Sequence, residues 1–506
     1  MYKISNFTKD EITILKRHVS NVDKDIYVIY NLPPEVTAVL FAYVSRSPLS
    51  FRENLLKLIK GKELNIGKLI DLFENQGFEY SEAKEKARQF HERWIVGYGH
   101  SSVAEHAVAS IAIEDVSILA TKVIEDNRLA SYTEKSTRYQ IFDKTRYYKP
   151  KKIMNSSYGK LFEKTCNHFF DTYNEIIPKM IQFVKESYPK IKDMDEKLYE
   201  NVSKARACDI VRCILPAATL TNLAMTANAR TLEHAIAKLL SHPLDEMKDI
   251  GKLMKEEVLK IIPTLVKYAD YNPYISKTNK AMEGVTKNIV KLDNITSRSV
   301  ALVEFDLEAE NKLVTALLYR YSKCPYSKIK DLVKKMNQKE KEKVIDEFLK
   351  RMDKHDQPMR ELEHINYTFD ILVDYGAFRD IQRHRICTQT NQELTVEHGF
   401  DIPEEIVETG FKDKFEECMK MAVETFNEIS KEFPKETQYV VPLSFKKRTL
   451  FTWNLRELHH FIKLRSSKEG HESYRKIAQQ VFDEIEKVHP LLAHYIRIDK
   501  SSGPMR

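Results

Sequence analysis

Two arginines flank a histidine at Arg383, His384 and Arg385, directly after a helix-like stretch from Tyr375 to Gln382 and before a polar run from Thr388 to Gln392. Guanidinium forks bind phosphate or carboxylate through paired hydrogen bonds, and an imidazole between them adds a donor or acceptor near neutral pH. The same residues also describe a solvated basic helix end stabilised by the helix dipole. A second group alternates: Glu134, Ser136 and Arg138 put a carboxylate, a hydroxyl and a guanidinium at every other position. In an extended segment such side chains share a face and can converge on one small polar ligand. A capping box or an exposed salt bridge would use the same residues. Arg212 lies within an apolar run ending at Pro216, so it requires a buried anionic partner or an exit to solvent.

These groups sit in a sequence pattern that occurs twice. The block from Pro216 through Asn228 to His234 is answered by Pro442, Asn454 and His460, at a constant offset of 226. The repeating unit is therefore a whole domain rather than a short solenoid element. Upstream, Glu105 and His106 are echoed by Glu363 and His364, and Asp126, Asn127 and Arg128 by Arg383, His384 and Arg385. The copies have lost different pieces. Where the first has Glu134, Ser136 and Arg138, the second has Glu393, Thr395 and Glu397; Arg212 answers to Gln438, and Arg465 to Leu239. Two domains, residues 1–295 and 296–506, follow, with the polar stretch 267–298, which shows no clear helical stripe, read as the linker. The offset is 258 at His106 and His364 but 226 at Asn228 and Asn454, so the first copy carries 32 extra residues within 147–205.

The elements that must position these side chains are mainly helical. Only 13 glycines, and apolar residues at three and four spacing in segments such as that starting at Phe51 and that starting at Val344, predict an α+β protein with helices predominating and few strands. A net charge of +7 spread along 506 residues gives little support to duplex binding, so no nucleic-acid partner is expected. Six cysteines without a CxxC pair indicate reduced thiols, and with neither an apolar leader nor a run of ~18 apolar residues, a soluble cytoplasmic protein without membrane contact is expected. There is no HExxH, GxGxxG or GxxxxGK[ST], so no metal and no Rossmann or P-loop cradle is expected. Gly97 to His106 reads as a glycine-hinged turn entering a helix, with Ser101 or Ser102 as cap. His459 and His460, adjacent on a helix, should project from different sides.

The motifs resemble those of the flavin-dependent thymidylate synthases, whose pattern R-H-R-x-x-S-x-N-x-x-S-x-R-Y follows a segment like G-H-x-S-x-x-E-H. The first copy matches with Gly99, His100, Glu105 and His106, then Arg128, Ser131, Ser136, Arg138 and Tyr139; the second matches with Glu363, His364, Arg383, His384 and Arg385. The resemblance implies two tandem thymidylate synthase-like domains, each a small sheet plus helices. It implies methylation of dUMP with methylenetetrahydrofolate, FAD and NADPH, at a site built from more than one copy. Carried over residue by residue, it gives Arg465, Ser136 and Glu134 catalytic roles and puts Arg138, Arg212 and Arg383 on the substrate. Arg383, His384, Arg385, His100, Ser322 and His460 would face the cofactor. A homodimer imitating the family's tetramer is the implied assembly. A flavin- or nucleotide-binding paralogue without turnover, or a flavoenzyme methylating another pyrimidine nucleotide, would show the same motifs.

Overall fold

Alternation of buried and exposed side chains, the period of a half-covered strand, runs through the Thr-containing segment near the end of each copy. In the computed structural model, which describes residues 7–44, 47–60, 101–192, 194–290 and 298–501, these segments are β3 and β7 below. Strands β1 (Val108–Ser117), β2 (Ala130–Glu134) and β3 (Leu220–Asn228) form a sheet of order β1-β3-β2. Strands β4 (Val300–Phe305), β5 (Asn366–Asp374), β6 (Thr388–Asn391) and β7 (Lys446–Asn454) form one of order β4-β5-β7-β6. Helices make up most of the rest, including those at Phe51–Lys60 and Gln338–Leu349, as the apolar spacing predicts. The inward residues of β7 build a core: Phe451 stacks on Trp453 at 4.6 Å, and Trp453 on Phe461 at 4.7 Å, all fully buried. Each buried Phe contributes up to about 3 kcal/mol.

The described residues fall into two compact units that do not follow the sequence copies. One holds Met1–Asp115, Val123–Lys135 and Thr221–Lys291; the other holds Val116–Lys122, Ser136–Leu220 and Leu292–Arg506. The second unit thus contains a large part of the first copy.

Equivalent positions make equivalent bonds in the two copies. Ala229 N donates to Ala107 O at 2.8 Å, as Leu455 N does to Ile365 O at 2.8 Å. The Ser110 and Thr226 hydroxyls meet at 2.8 Å, and those of Thr368 and Thr452 at 2.9 Å. Asn228 caps the helix Ala229–Leu240, and Asn454 the helix Leu455–Arg465. Arg230 pairs with Glu105 as Arg456 does with Glu363. After Ser110 the offset drops by one: Ile118 N bonds Thr219 O where Tyr375 N bonds Phe445 O. The extra residue in β1 falls where Asp115 adopts a φ of 54°, the mark of a bulge.

Within the second unit the copies meet reciprocally. Ala217 N donates to Val441 O and Leu443 N to Leu215 O; Ala218 N donates to Tyr439 O and Ser444 N to Cys213 O. Each pair is the other shifted by 226, with Pro216 facing Pro442 at the centre. This is the self-complementary pattern of a two-fold contact. The helices Gly159–Ser187 and Lys412–Ser430 extend it through hydroxyls of Thr165 and Thr425 at 2.7 Å.

The reading of 267–298 as a stretch without a helix is corrected: Pro273–Ile289 is helical, with Pro at its first turn and the Asn272 side chain accepting from Tyr274 N. Every residue of this helix is at least partly exposed, so its capping chemistry, rather than burial, supplied the signal that a search for an apolar stripe passes over. The stretch containing the 32 extra residues holds the helix Glu196–Val211; the second copy passes from Lys412–Ser430 to the short turn Glu436–Val440.

Candidate functional site

The helix Tyr375–Ile381 starts at Asp374, whose side chain accepts from Ala377 N, and ends just before Arg383. Its exit delivers three consecutive side chains to different environments: Arg383 is exposed, His384 buried and Arg385 half-buried. The helix Leu455–Arg465 brings Arg465 to the same place, and the segment before Pro216 brings Arg212. Ser136, Thr137 and Arg138 follow the end of β2. All these residues, four of them from the first copy, belong to the second unit.

Two carboxylates organise the guanidinium groups. Asp209 lies 3.1 Å from Arg212 Nε and 3.2 Å from Arg138 Nε. Asp380 lies 3.5 Å from Arg383 Nη1, 3.8 Å from Arg465 Nη1 and 3.9 Å from Arg212 Nη2. The buried Thr137 hydroxyl accepts from Arg212 Nη1 at 3.1 Å and from Arg379 Nη1 at 3.3 Å. Arg465 Nε donates to His384 Nε2 at 2.9 Å, and its guanidinium lies 5.3 Å over the Tyr474 ring. Arg138 also reaches the carbonyl of Glu469 at 3.4 Å.

Charge and burial decide the protonation states. Burial alone would raise the Asp380 carboxyl, but Arg212, Arg383, Arg465 and Arg379 outweigh it and hold it below the usual carboxylate range. Burial lowers His384 to about 4, against the raising effect of Glu457, so the imidazole is neutral at pH 7. Burial also lowers Arg465, though an arginine stays protonated even so. The five guanidinium groups of Arg138, Arg212, Arg379, Arg383 and Arg465 thus surround the two carboxylates of Asp209 and Asp380. Arg212 Nη2 is buried without a hydrogen-bond partner, an uncommon state for a donor. Excess positive charge around an unfilled donor suits an anionic, phosphate-bearing ligand.

The structure therefore brings together Arg138, Arg212, Arg383, His384 and Arg465. Ser136 stands beside them, its hydroxyl accepting from Arg138 N at 3.1 Å. His460 is exposed with its ring 5.4 Å from that of His384, while His459 is buried on another side of the same helix, as their adjacency predicts. Glu134 is the last residue of β2, opposite Leu223, in the first unit. Ser322 keeps its hydrogen bonds within the turn after Ala309–Arg320, to Tyr319 O and Cys324 N. Gly97 to His100 lie outside the described residues, as do Ser45 and residues 502–506; Ser101–His106 is a 3-10 helix.

The buried anionic partner that Arg212 requires is Asp209, three residues before it. Sequence reasoning missed Asp209, Asp380, Thr137, Glu457 and Tyr474. A signal existed for two of them: Asp209 and Asp380 each stand three residues before a site arginine, the spacing that places side chains together on a helix. Thr137, Glu457 and Tyr474 reach the cluster only through tertiary packing.

The family model described as thymidylate synthase complementing protein matches residues 55–264 and again 301–491. A "UPF0159 protein" of Chlamydia pneumoniae is 35% identical over 506 residues, covering 97% of this chain and 94% of the relative. One of Thermoplasma acidophilum is 29% identical over 464 residues, covering 84% and 92%. A protein of Sulfurisphaera tokodaii named flavin-dependent thymidylate synthase is 32% identical over 235 residues, covering 45% of this chain and 81% of the relative.

Proposed function

The chain belongs to the thymidylate synthase complementing protein family, and from that premise we propose that it is a flavin-dependent thymidylate synthase with one composite site per chain, its copies spanning residues 1–295 and 296–506. The observation that carries the reading is the convergence of Arg138 and Arg212 from one copy with Arg383, His384 and Arg465 from the other around Asp209 and Asp380. The substrate is dUMP and the methylene donor methylenetetrahydrofolate. FAD, reduced by NADPH, supplies the hydride when bound.

The protein's share is binding, orientation and electrostatics. Arg138 and Arg212 hold the phosphate dianion, with the unfilled Nη2 of Arg212 available to it. Ser136 orients the base. Arg465 polarises a uracil carbonyl, stabilising negative charge as it develops on the ring. The donor set of Arg383, Arg385 and His460, partly or fully exposed beside the cluster, fits a diphosphate-bearing flavin, with His384 and Ser322 of the same unit as further contacts. The chain works in the cytoplasm as a homodimer.

Tritium release from 5-labelled dUMP, in the presence of NADPH, FAD and methylenetetrahydrofolate, tests the reaction. Release that depends on all three supports it; none, from a folded yellow protein, sinks it. One observation favours a second reading, nucleotide or flavin binding without turnover: Asp126, Asn127 and Glu397 stand where the other copy has Arg383, His384 and Arg138. Tight dUMP binding with no tritium release would select that reading.

A further inference from the structure

His384 has contacts at both ring nitrogens, and they are not interchangeable. Its Nε2 faces the Nε of Arg465 at 2.9 Å, and a guanidinium nitrogen can only donate. That bond exists only while Nε2 carries a lone pair. The proton of the neutral ring then lies on Nδ1, and Glu457 Oε1 stands 3.6 Å from that nitrogen. This separation is long for a formed hydrogen bond, but it is the range from which catalytic contacts tighten on ligand binding. The opposite tautomer would set an N–H against the N–H of Arg465 and leave a lone pair facing a carboxylate. The ring itself is held: His384 is buried, with Phe461 edge-on at 5.0 Å.

Glu457 is fixed in turn by the backbone, because its N–H is bonded by the Asn454 cap at 2.8 Å. Arg465, at the other end of the same helix, has Nε committed to His384, Nη1 beside Asp380 and Tyr474 beneath its plane. An independent observation comes from the other copy. The counterparts of Glu457, His384 and Arg465 are Thr231, Asn127 and Leu239, so all three members are missing together, while the cap common to both copies is kept as Asn228.

We infer that Glu457 is a positioning residue that acts through His384: it selects the Nδ1–H tautomer, whose free Nε2 receives Arg465 and aims the remaining edge of that guanidinium at the substrate. The aim matters for rate only if Arg465 polarises the base, so that part rests on the function proposed above. The tautomer itself does not depend on it.

The test uses the full chain labelled with 15N-histidine, with the His384 signals identified by their loss in His384→Asn. Wild type should show His384 protonated on Nδ1 and bare at Nε2. In Glu457→Leu the second tautomer should appear, and kcat for tritium release should fall by about 10- to 100-fold with KM for dUMP little changed. Glu457→Gln, which still offers an oxygen to Nδ1–H, should keep both the tautomer and most of kcat. A merely structural role would not separate Gln from Leu in this way. A proton on Nε2 in wild type overturns the inference, as does an unchanged tautomer and kcat in Glu457→Leu. If the protein releases no tritium at all, the proposed function fails while the tautomer measurement still decides the array; if the Leu variant does not fold, the wild-type and Gln spectra decide it.

Discussion

Equivalent positions in the two copies hold different chemistry, and where one copy lacks a charged group its neutral counterpart has its own hydrogen bonds or packing. Arg212 is a buried cation between Asp209 and Thr137; its counterpart Gln438 is a neutral amide that accepts from Leu394 N and donates to Lys435 O, both at 3.0 Å. Arg465 reaches His384 and Asp380; its counterpart Leu239 is a fully packed core residue. His384 is a buried acceptor, whereas Asn127 donates to the carbonyl of Ile124 at 2.7 Å and Asp126 pairs with Lys238. A charge was therefore not simply deleted where one copy lacks it. Neutral hydrogen bonds or packing took its place, as burial requires of any polar group left without its partner.

That contrast can be broken in order of expected effect. Arg465→Ala should lower tritium release on the order of 10²- to 10³-fold, and Leu239→Arg should restore none of it while destabilising the core. Wild-type turnover in Arg465→Ala would remove the asymmetry between the copies. Next, Arg212→Leu leaves Asp209 short of its buried partner and should cost about 3–5 kcal/mol in urea unfolding, against about 1–3 kcal/mol for Gln438→Leu, which strands one buried backbone N–H. Equal costs would mean that the ion pair is no more demanding than the amide.

A third difference is visible in pH. Burial lowers both His384 and His459 to about 4 from an ordinary 6.5, so between those values the unfolded chain binds protons that the native state refuses. Stability contributed by each group is complete above pH 6.5 and is lost as pH falls towards 4, on the order of 3 kcal/mol apiece. Their counterparts in the first copy are Asn127, which does not titrate, and Glu233, whose raised value acts in the opposite direction, with stability lost as pH rises. Chemical unfolding at pH 7 and pH 4.5 should therefore show a drop that shrinks in His459→Leu; an unaltered slope would count against buried neutral imidazoles. The smallest effect belongs to Asp126→Ala. Its half-exposed pair with Lys238 should be worth less than about 1 kcal/mol, with activity unchanged, and a large loss of turnover would place a working group in the first copy's cluster after all.

Much of the fold could be read directly from the residues. Helical predominance followed from apolar spacing and scarce glycine, and the block that holds β3 and β7 stood out by its repetition at a constant offset, though not as strands or capped helices. The helix Pro273–Ile289 escaped because it buries no face, and the one-residue bulge at Asp115 because sheet register is set by cross-strand pairing rather than by local composition. At the site, the arginines and the histidine were legible as charged types in weak motifs, but whether they formed a binding group or a solvated helix end was not.

The amino-acid order alone determined that Arg138, Arg212, Arg383 and Arg465 each have a neutral or opposite counterpart 226 to 259 positions away, because a repeat can be compared with itself without coordinates. Only the tertiary structure decided which of those side chains converge. Asp380 draws in Arg212 from 168 positions away along the chain, and Thr137 joins Arg379 across 242 positions. Convergence of this kind depends on how the Pro216 and Pro442 segments pair, and that pairing is a property of packed backbones, to which no local pattern of residues corresponds.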